Sequence, residues 1–164
     1  MGYHVVGIDA RDSSIDLIRS LGSCDLVVDA RKESTSEVFQ KCKGGVGCDA
    51  VLILPESQKA FDYAVPLAKK RGTVCIVSFP VDGFRIPSNE IVFRDVRFKG
   101  FPKFPSLLII GTLLGTTKEA AEMFDVFVKN KLKVVKTVFT LDEVNEMVKT
   151  YESGNVSGKL VIKV

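Results

Sequence analysis

The chain has 164 residues, enough for one domain with a single sheet and its covering helices and too few for a second full domain. Its 23 Lys and Arg against 20 Asp and Glu leave a formal charge of +3, which gives no sign of a nucleic-acid surface. A hydrophobic share of 46% with 26% charged residues fits a soluble globular protein, and the longest apolar run, Ser106 to Leu114, is too short to cross a bilayer.

The start, Met-Gly-Tyr-His-Val-Val, lacks the basic stretch, apolar core and cleavage site of a secretory signal, so a cytoplasmic location is expected. His4 to Asp9 is a short β-branched strand pattern ending in an acid, followed by a helix from Ser13 to Leu21 with Ile15, Leu17, Ile18 and Leu21 at helical spacing. Asp25 to Asp29 repeats the strand signature. Ser34 to Lys43 reads as a helix, with Ser34 and Glu37 at the spacing of a capping box. Gly44-Gly45-Val46-Gly47 follows a helix and leads into a strand, so it reads as a helix-ending turn; a phosphate loop would follow a strand and open a helix.

Asp49 to Leu54 is an apolar strand, Ser57 to Arg71 an amphipathic helix, and Thr73 to Phe79 a further apolar strand stopped by Pro80. Lys69, Lys70 and Arg71 would close that helix, where cations suit the negative end of its dipole. A short segment near Ser88 to Arg94 and a strand over Val96 to Lys99 come next. Pro102 and Pro105 exclude a central strand over Phe101 to Pro105. Beyond Thr116 the pattern predicts a helix to Lys129, a strand from Val134 to Phe139, a helix from Leu141 to Tyr151 and a strand from Lys159 to Val164. Alternating apolar strands and helices predict an α/β fold of the doubly wound, Rossmann type, its parallel sheet covered on both faces.

Asp9 carries the most chemical information. An acid closing the second strand of such a sheet can accept both hydrogen bonds from a ribose diol, and it can equally be a turn or N-cap aspartate ahead of the helix; the residues leave both readings open. Arg11 could lie over an adenine or neutralise a 2′-phosphate, but Asp9 would repel that phosphate, which favours NAD over NADP. Only eight residues precede Asp9, so the glycine fingerprint expected about twenty residues before such an acid is not in this sequence, and neither is the first strand. Ser78 to Pro80 follows the end of a strand, on the edge where open α/β sheets bind ligands. The four cysteines, Cys24, Cys42, Cys48 and Cys75, include no C-x-x-C pair and His4 is the single histidine, so zinc-ligand spacing is absent and free thiols are expected. With one histidine and no nucleophile elbow, hydrolase chemistry is disfavoured. Asp142 and Glu143 open a helix, where negative charge is stabilised without any catalytic role.

The segments HVVGIDARDSSIDLIRSLG, GGVGCDAVLIL, RGTVCIVSFP, LLGTTKEAAEMFDVF and ESGNVSGKLVIKV, in this order, resemble the medium-chain, zinc-type alcohol dehydrogenases over nearly the whole chain. The resemblance implies a partial dinucleotide-binding domain over residues 1–164, with the C-terminal helix and strand included and residues 101–111 inserted relative to the family. It implies that Asp9 binds the ribose of NAD, that Val77, Ser78 and Phe79 lie beside the nicotinamide, and that Lys159 faces the pyrophosphate. The family's zinc polarises the alcohol oxygen for hydride transfer, but its ligands belong to a front domain with no counterpart here. The expected function is thus the nucleotide-binding part of an NAD-dependent alcohol dehydrogenase, inactive alone, with no nucleic-acid or membrane partner. The alternative is a non-catalytic nucleotide-binding or subunit-interaction module, pairing as a homo- or hetero-oligomer with a full-length relative. The insertion puts family-like dimerisation in doubt, and its composition suggests untranslated or alternatively spliced sequence. An absent first strand would leave two strand edges unpaired, and poor stability of the isolated chain is expected.

Overall fold

The computed structural model describes residues 2–78, 80–89, 93–94, 96–99, 115–154 and 156–164. Phe79 and the segment 101–111 lie outside the described residues. The chain divides into two compact units, one of Met1–Asp29 with Thr116–Val164 and the other of Ala30–Gly115.

In the first unit β1 (Val6–Asp9) pairs in parallel with β2 (Leu26–Asp29), and α1 (Asp12–Leu21) crosses between them. Ile15 on α1 and Val28 on β2 are buried, so the helix covers the pair with the apolar stripe that its spacing predicts. The same unit holds α4 (Thr117–Lys129), β6 (Lys136–Thr140), α5 (Val144–Glu152) and β7 (Lys159–Lys163), with β6 and β7 again parallel and α5 packed on both.

The second unit runs α2 (Thr35–Lys41), β3 (Cys48–Ile53), α3 (Gln58–Ala64), β4 (Ala68–Ile76) and β5 (Arg97–Lys99). Its sheet is parallel throughout in the order β3-β4-β5. Strand alternation sends Val51 and Ile53 to one face, level with Val74 and Ile76 of β4, and α3 lays Phe61 and Val65 over that face. Phe61 is the centre of this core: its ring stacks at 4.6 Å from Phe84 and 6.3 Å from Phe98. The loop bearing Phe84 is held to α3 by Gln58, which accepts from the Arg85 amide at 2.9 Å and donates to the Arg85 carbonyl at 3.1 Å.

Two expectations change here. The helix predicted through Arg71 stops at Ala64, passes through one 3₁₀ turn over Val65–Leu67, and gives way to a strand. Pro66 is the reason: it has no amide to donate and its ring collides with the carbonyl one turn back. Lys69, Lys70 and Arg71 therefore lie in β4 rather than at a helix end. Lys69 bonds the Asp49 carboxylate at 2.5 Å, and Arg71 takes a left-handed φ of 61° near the register shift between β3 and β4. The second change concerns cover. Among the described residues of this unit none seals the opposite sheet face, where Leu52 is 65% exposed and Leu54 just beyond the strand 67%.

The helix starts agree with the capping pattern. Ser34 and Glu37 form the reciprocal box, as do Thr116 with Glu119 and Thr140 with Glu143. In all three the hydrogen bonds from the cap residue's hydroxyl and amide hold the glutamate below its ordinary value of 4.5. A depressed folded pKa contributes stability that is present above the unfolded value and lost as pH falls through the folded one. Helix content is therefore expected to hold down to about pH 4.5 and to decline below it. Far-UV circular dichroism across an acid titration checks this, and helicity lost entirely above pH 5 would contradict it.

Candidate functional site

Asp9 closes β1, level with Asp29 at the end of β2. Its Oδ1 accepts the backbone amides of Ala10 at 2.8 Å and Arg11 at 2.9 Å, a local turn that ends the strand and aims the carboxylate. The Arg11 guanidinium returns over it, Nε at 3.4 Å from Oδ1 and a terminal nitrogen at 3.5 Å from Oδ2. Partial burial raises the Asp9 pKa, but the Arg11 side chain and the two amides together pull it below the ordinary value, so the group is an ionised acceptor at neutral pH. The N-cap of α1 is Arg11, whose side chain makes no cap bond. Asp9 thus spends one oxygen on the turn, while among the described residues Oδ2 carries the single long contact to Arg11.

Asp29 is the buried polar residue beside it, 8% exposed. The strand pattern does not single it out; the available signal was that two successive strands, ending Gly-Ile-Asp9 and Val-Val-Asp29, both close on an acid.

Lys159 begins β7, exposed, with its amide donating to the Val135 carbonyl at 2.9 Å. No ion pair or hydrogen bond joins it to Asp9 among the described residues. Val77 and Ser78 belong to the second unit, just past the carboxyl end of β4. The Val77 amide donates to the Ile53 carbonyl at 2.9 Å and the Ser78 hydroxyl to the Pro55 carbonyl at 2.8 Å, so this backbone is tied to the end of β3. Of the six candidate residues the structure brings Asp9 and Arg11 into contact.

The turns from β1 into α1, β2 into α2 and β3 into α3, residues 10–11, 30–34 and 54–57, contain no glycine. Gly44, Gly45 and Gly47 all take left-handed φ, of 66°, 87° and 87°, in the turn that ends α2, as their place in the sequence implies. Among the described residues no three His, Cys, Asp or Glu side chains are grouped to hold a metal. A catalytic zinc takes three protein ligands, so the described residues do not fit one. No helix of the described residues is long and apolar enough to cross a membrane.

A family model described as zinc-binding dehydrogenase matches residues 1–104. The chain belongs to the zinc-binding dehydrogenase family. Over all 164 residues the chain is 28% identical to an alcohol dehydrogenase of Geobacillus stearothermophilus, of which it covers 44%. Among solved structures it is similar to the alcohol dehydrogenase of Aeropyrum pernix, with a TM-score of 0.73 at 24% identity over 94% of this chain and 41% of that one. It is also similar to the acetophenone reductase of Geotrichum candidum, solved in complex with NAD, with a TM-score of 0.70 at 24% identity over 98% of this chain and 42% of the other. These likenesses bear out the α/β, doubly wound reading and its incomplete sheet. The chain spans less than half the length of each of these three relatives.

Proposed function

We propose that this chain is the nucleotide-binding part of an NAD-dependent alcohol dehydrogenase, and that it does not transfer hydride by itself. The observation that carries this reading is the Asp9 carboxylate at the end of β1, oriented by two amides and kept ionised, an acceptor suited to a ribose diol. Its negative charge disfavours a 2′-phosphate, hence NAD over NADP. Arg11 is then a guanidinium that pairs with Asp9 and can shift toward the adenine when the diol takes its place. Lys159, in the same unit as Asp9, supplies charge toward the pyrophosphate; the reading of Val77, Ser78 and Phe79 as lying beside the nicotinamide rests on the family resemblance alone.

When bound, NAD would accept the hydride, and in the family a zinc held by other residues would polarise the alcohol oxygen. The described residues contribute binding and orientation. The turns from β1, β2 and β3 into their helices offer no glycine-rich stretch to present amides to a pyrophosphate, and the affinity of this chain is expected at about the millimolar range, near −4 kcal/mol. Calorimetric titration with NAD tests this. A millimolar Kd that weakens about tenfold or more in Asp9→Asn is expected, with NADP weaker than NAD. No binding at several times the expected Kd, or NADP bound equally well, would overturn the assignment of Asp9; micromolar binding would mean that other residues of the chain hold the pyrophosphate.

A further inference from the structure

Cys42 and Cys48 stand apart from the residues assigned to the nucleotide. Cys42 caps the end of α2 and is 2% exposed, and Cys48 is the first residue of β3 and half-buried. The loop between them is folded back tightly. Lys43, Gly44, Gly45 and Gly47 all take left-handed φ, and the amides of Gly45 and Gly47 both donate to the Cys42 carbonyl, at 3.1 and 3.3 Å. The result is a direct contact in which the Cys48 thiol donates to the Cys42 sulfur at 3.3 Å. Cys24 and Cys75 are likewise free thiols.

We propose that Cys42 and Cys48 form a reversible thiol–disulfide site, oxidised by hydrogen peroxide, that clamps the end of α2 to the start of β3. Cys48, the more accessible sulfur, gives up its proton and attacks a peroxide oxygen; the O–O bond breaks, leaving a sulfenic acid and releasing water. The Cys42 sulfur then attacks Cys48, forming the S–S bond and expelling the sulfenic oxygen as a second water. Two thiols lose two electrons and two protons in all, and one peroxide becomes two waters. A disulfide needs sulfurs about 2.05 Å apart, and two side chains already in contact reach this by rotation within a loop rich in glycine. Burial and the hydrogen bond to Cys42, reinforced by the charge of Asp49 against that of Lys43, push the Cys48 thiol up to about 12. The attacking thiolate is therefore scarce near neutral pH, and the pair responds to sustained peroxide rather than to brief exposure.

The test is peroxide treatment of the full chain followed by peptide mapping without reduction. Trypsin cuts after Lys41 and Lys43, which separates the two cysteines and makes the cross-link visible. The expected product joins Cys42 to Cys48, in roughly tenfold excess over any link to Cys24 or Cys75, and disappears with dithiothreitol. Oxidation should raise the thermal midpoint by about 5 °C, reversibly, because the link closes a short loop in the unfolded chain. In Cys42→Ala, Cys48 should lose the link and proceed to sulfinic acid; in Cys48→Ser, the buried Cys42 should stay reduced. Sulfinic acid at Cys48 of the unaltered chain with Cys42 still free would overturn the proposal. So would links mainly to Cys24 or Cys75, or no reaction at excess peroxide. A link that leaves the midpoint unmoved would overturn the clamp. None of these readouts depends on NAD.

Discussion

Phe61→Ala is expected to destabilise the unit of residues 30–115 by about 3–5 kcal/mol, a large share of the stability of an ordinary domain. Phe61 is wholly buried, with Phe84 and Phe98 stacked on it and Ile53, Val65 and Val74 in the same cluster. Removing the ring leaves a cavity between α3 and three strands that cannot close without moving the sheet. An ordinary domain has only about 5–15 kcal/mol in reserve, and this one has less to draw on because Leu52 and Leu54 bury little of their surface. Urea unfolding followed by far-UV circular dichroism measures the change. Leu52→Ala is the control, expected to cost under about 1 kcal/mol because its side chain is mostly in water already. Equal losses from the two substitutions would show that the sheet is packed from the other side as well.

Gly158→Ala should uncouple β7 from β6. Gly158 takes a φ of 83°, and a Cβ there would stand 2.2 Å from the Val135 carbonyl oxygen and 2.7 Å from its carbon. Both are backbone atoms, so no side-chain rotation relieves the clash, and the left-handed conformation alone costs an alanine about 1–2 kcal/mol. The next residue makes the first rung of the pairing, from the Lys159 amide to that same carbonyl at 2.9 Å, and Lys159 is level with Lys136. Hydrogen exchange at Val161 and Ile162 is expected to accelerate about tenfold or more. Unchanged protection would mean that the turn has room to yield. If Lys159 faces the pyrophosphate as proposed, Gly158→Ala also weakens NAD without altering any charge.

Local interactions made part of this protein legible from its residues. Ser34 with Glu37 satisfies helix-end amides three positions apart, a bond that needs no distant partner, and it forms where the spacing predicts. The glycines of 44–47 end α2 because their left-handed conformations are a property of the residue itself. The parallel α/β order follows from apolar strands alternating with helices, and Asp9 was placed at a strand end by position alone.

What depended on contacts between distant segments was not legible in that way. The apolar spacing of Phe61, Ala64, Val65 and Ala68 continues a helix past Pro66, yet the chain turns into β4, where Ala68 and Val74 are buried in the same core. Uniformly apolar strands imply cover on both faces, but a strand cannot specify which helices reach it, and Leu52 remains exposed. The pairing of Arg11 with Asp9, the burial of Asp29 and the contact of Cys42 with Cys48 are set by how strand ends and turns fold back on one another. Sequence by itself determined the order of the elements and the acid that closes β1, because short-range hydrogen bonds and apolar period act within a few residues. Tertiary structure alone decided which faces are covered and which polar groups meet, because those depend on the packing of elements far apart in the chain.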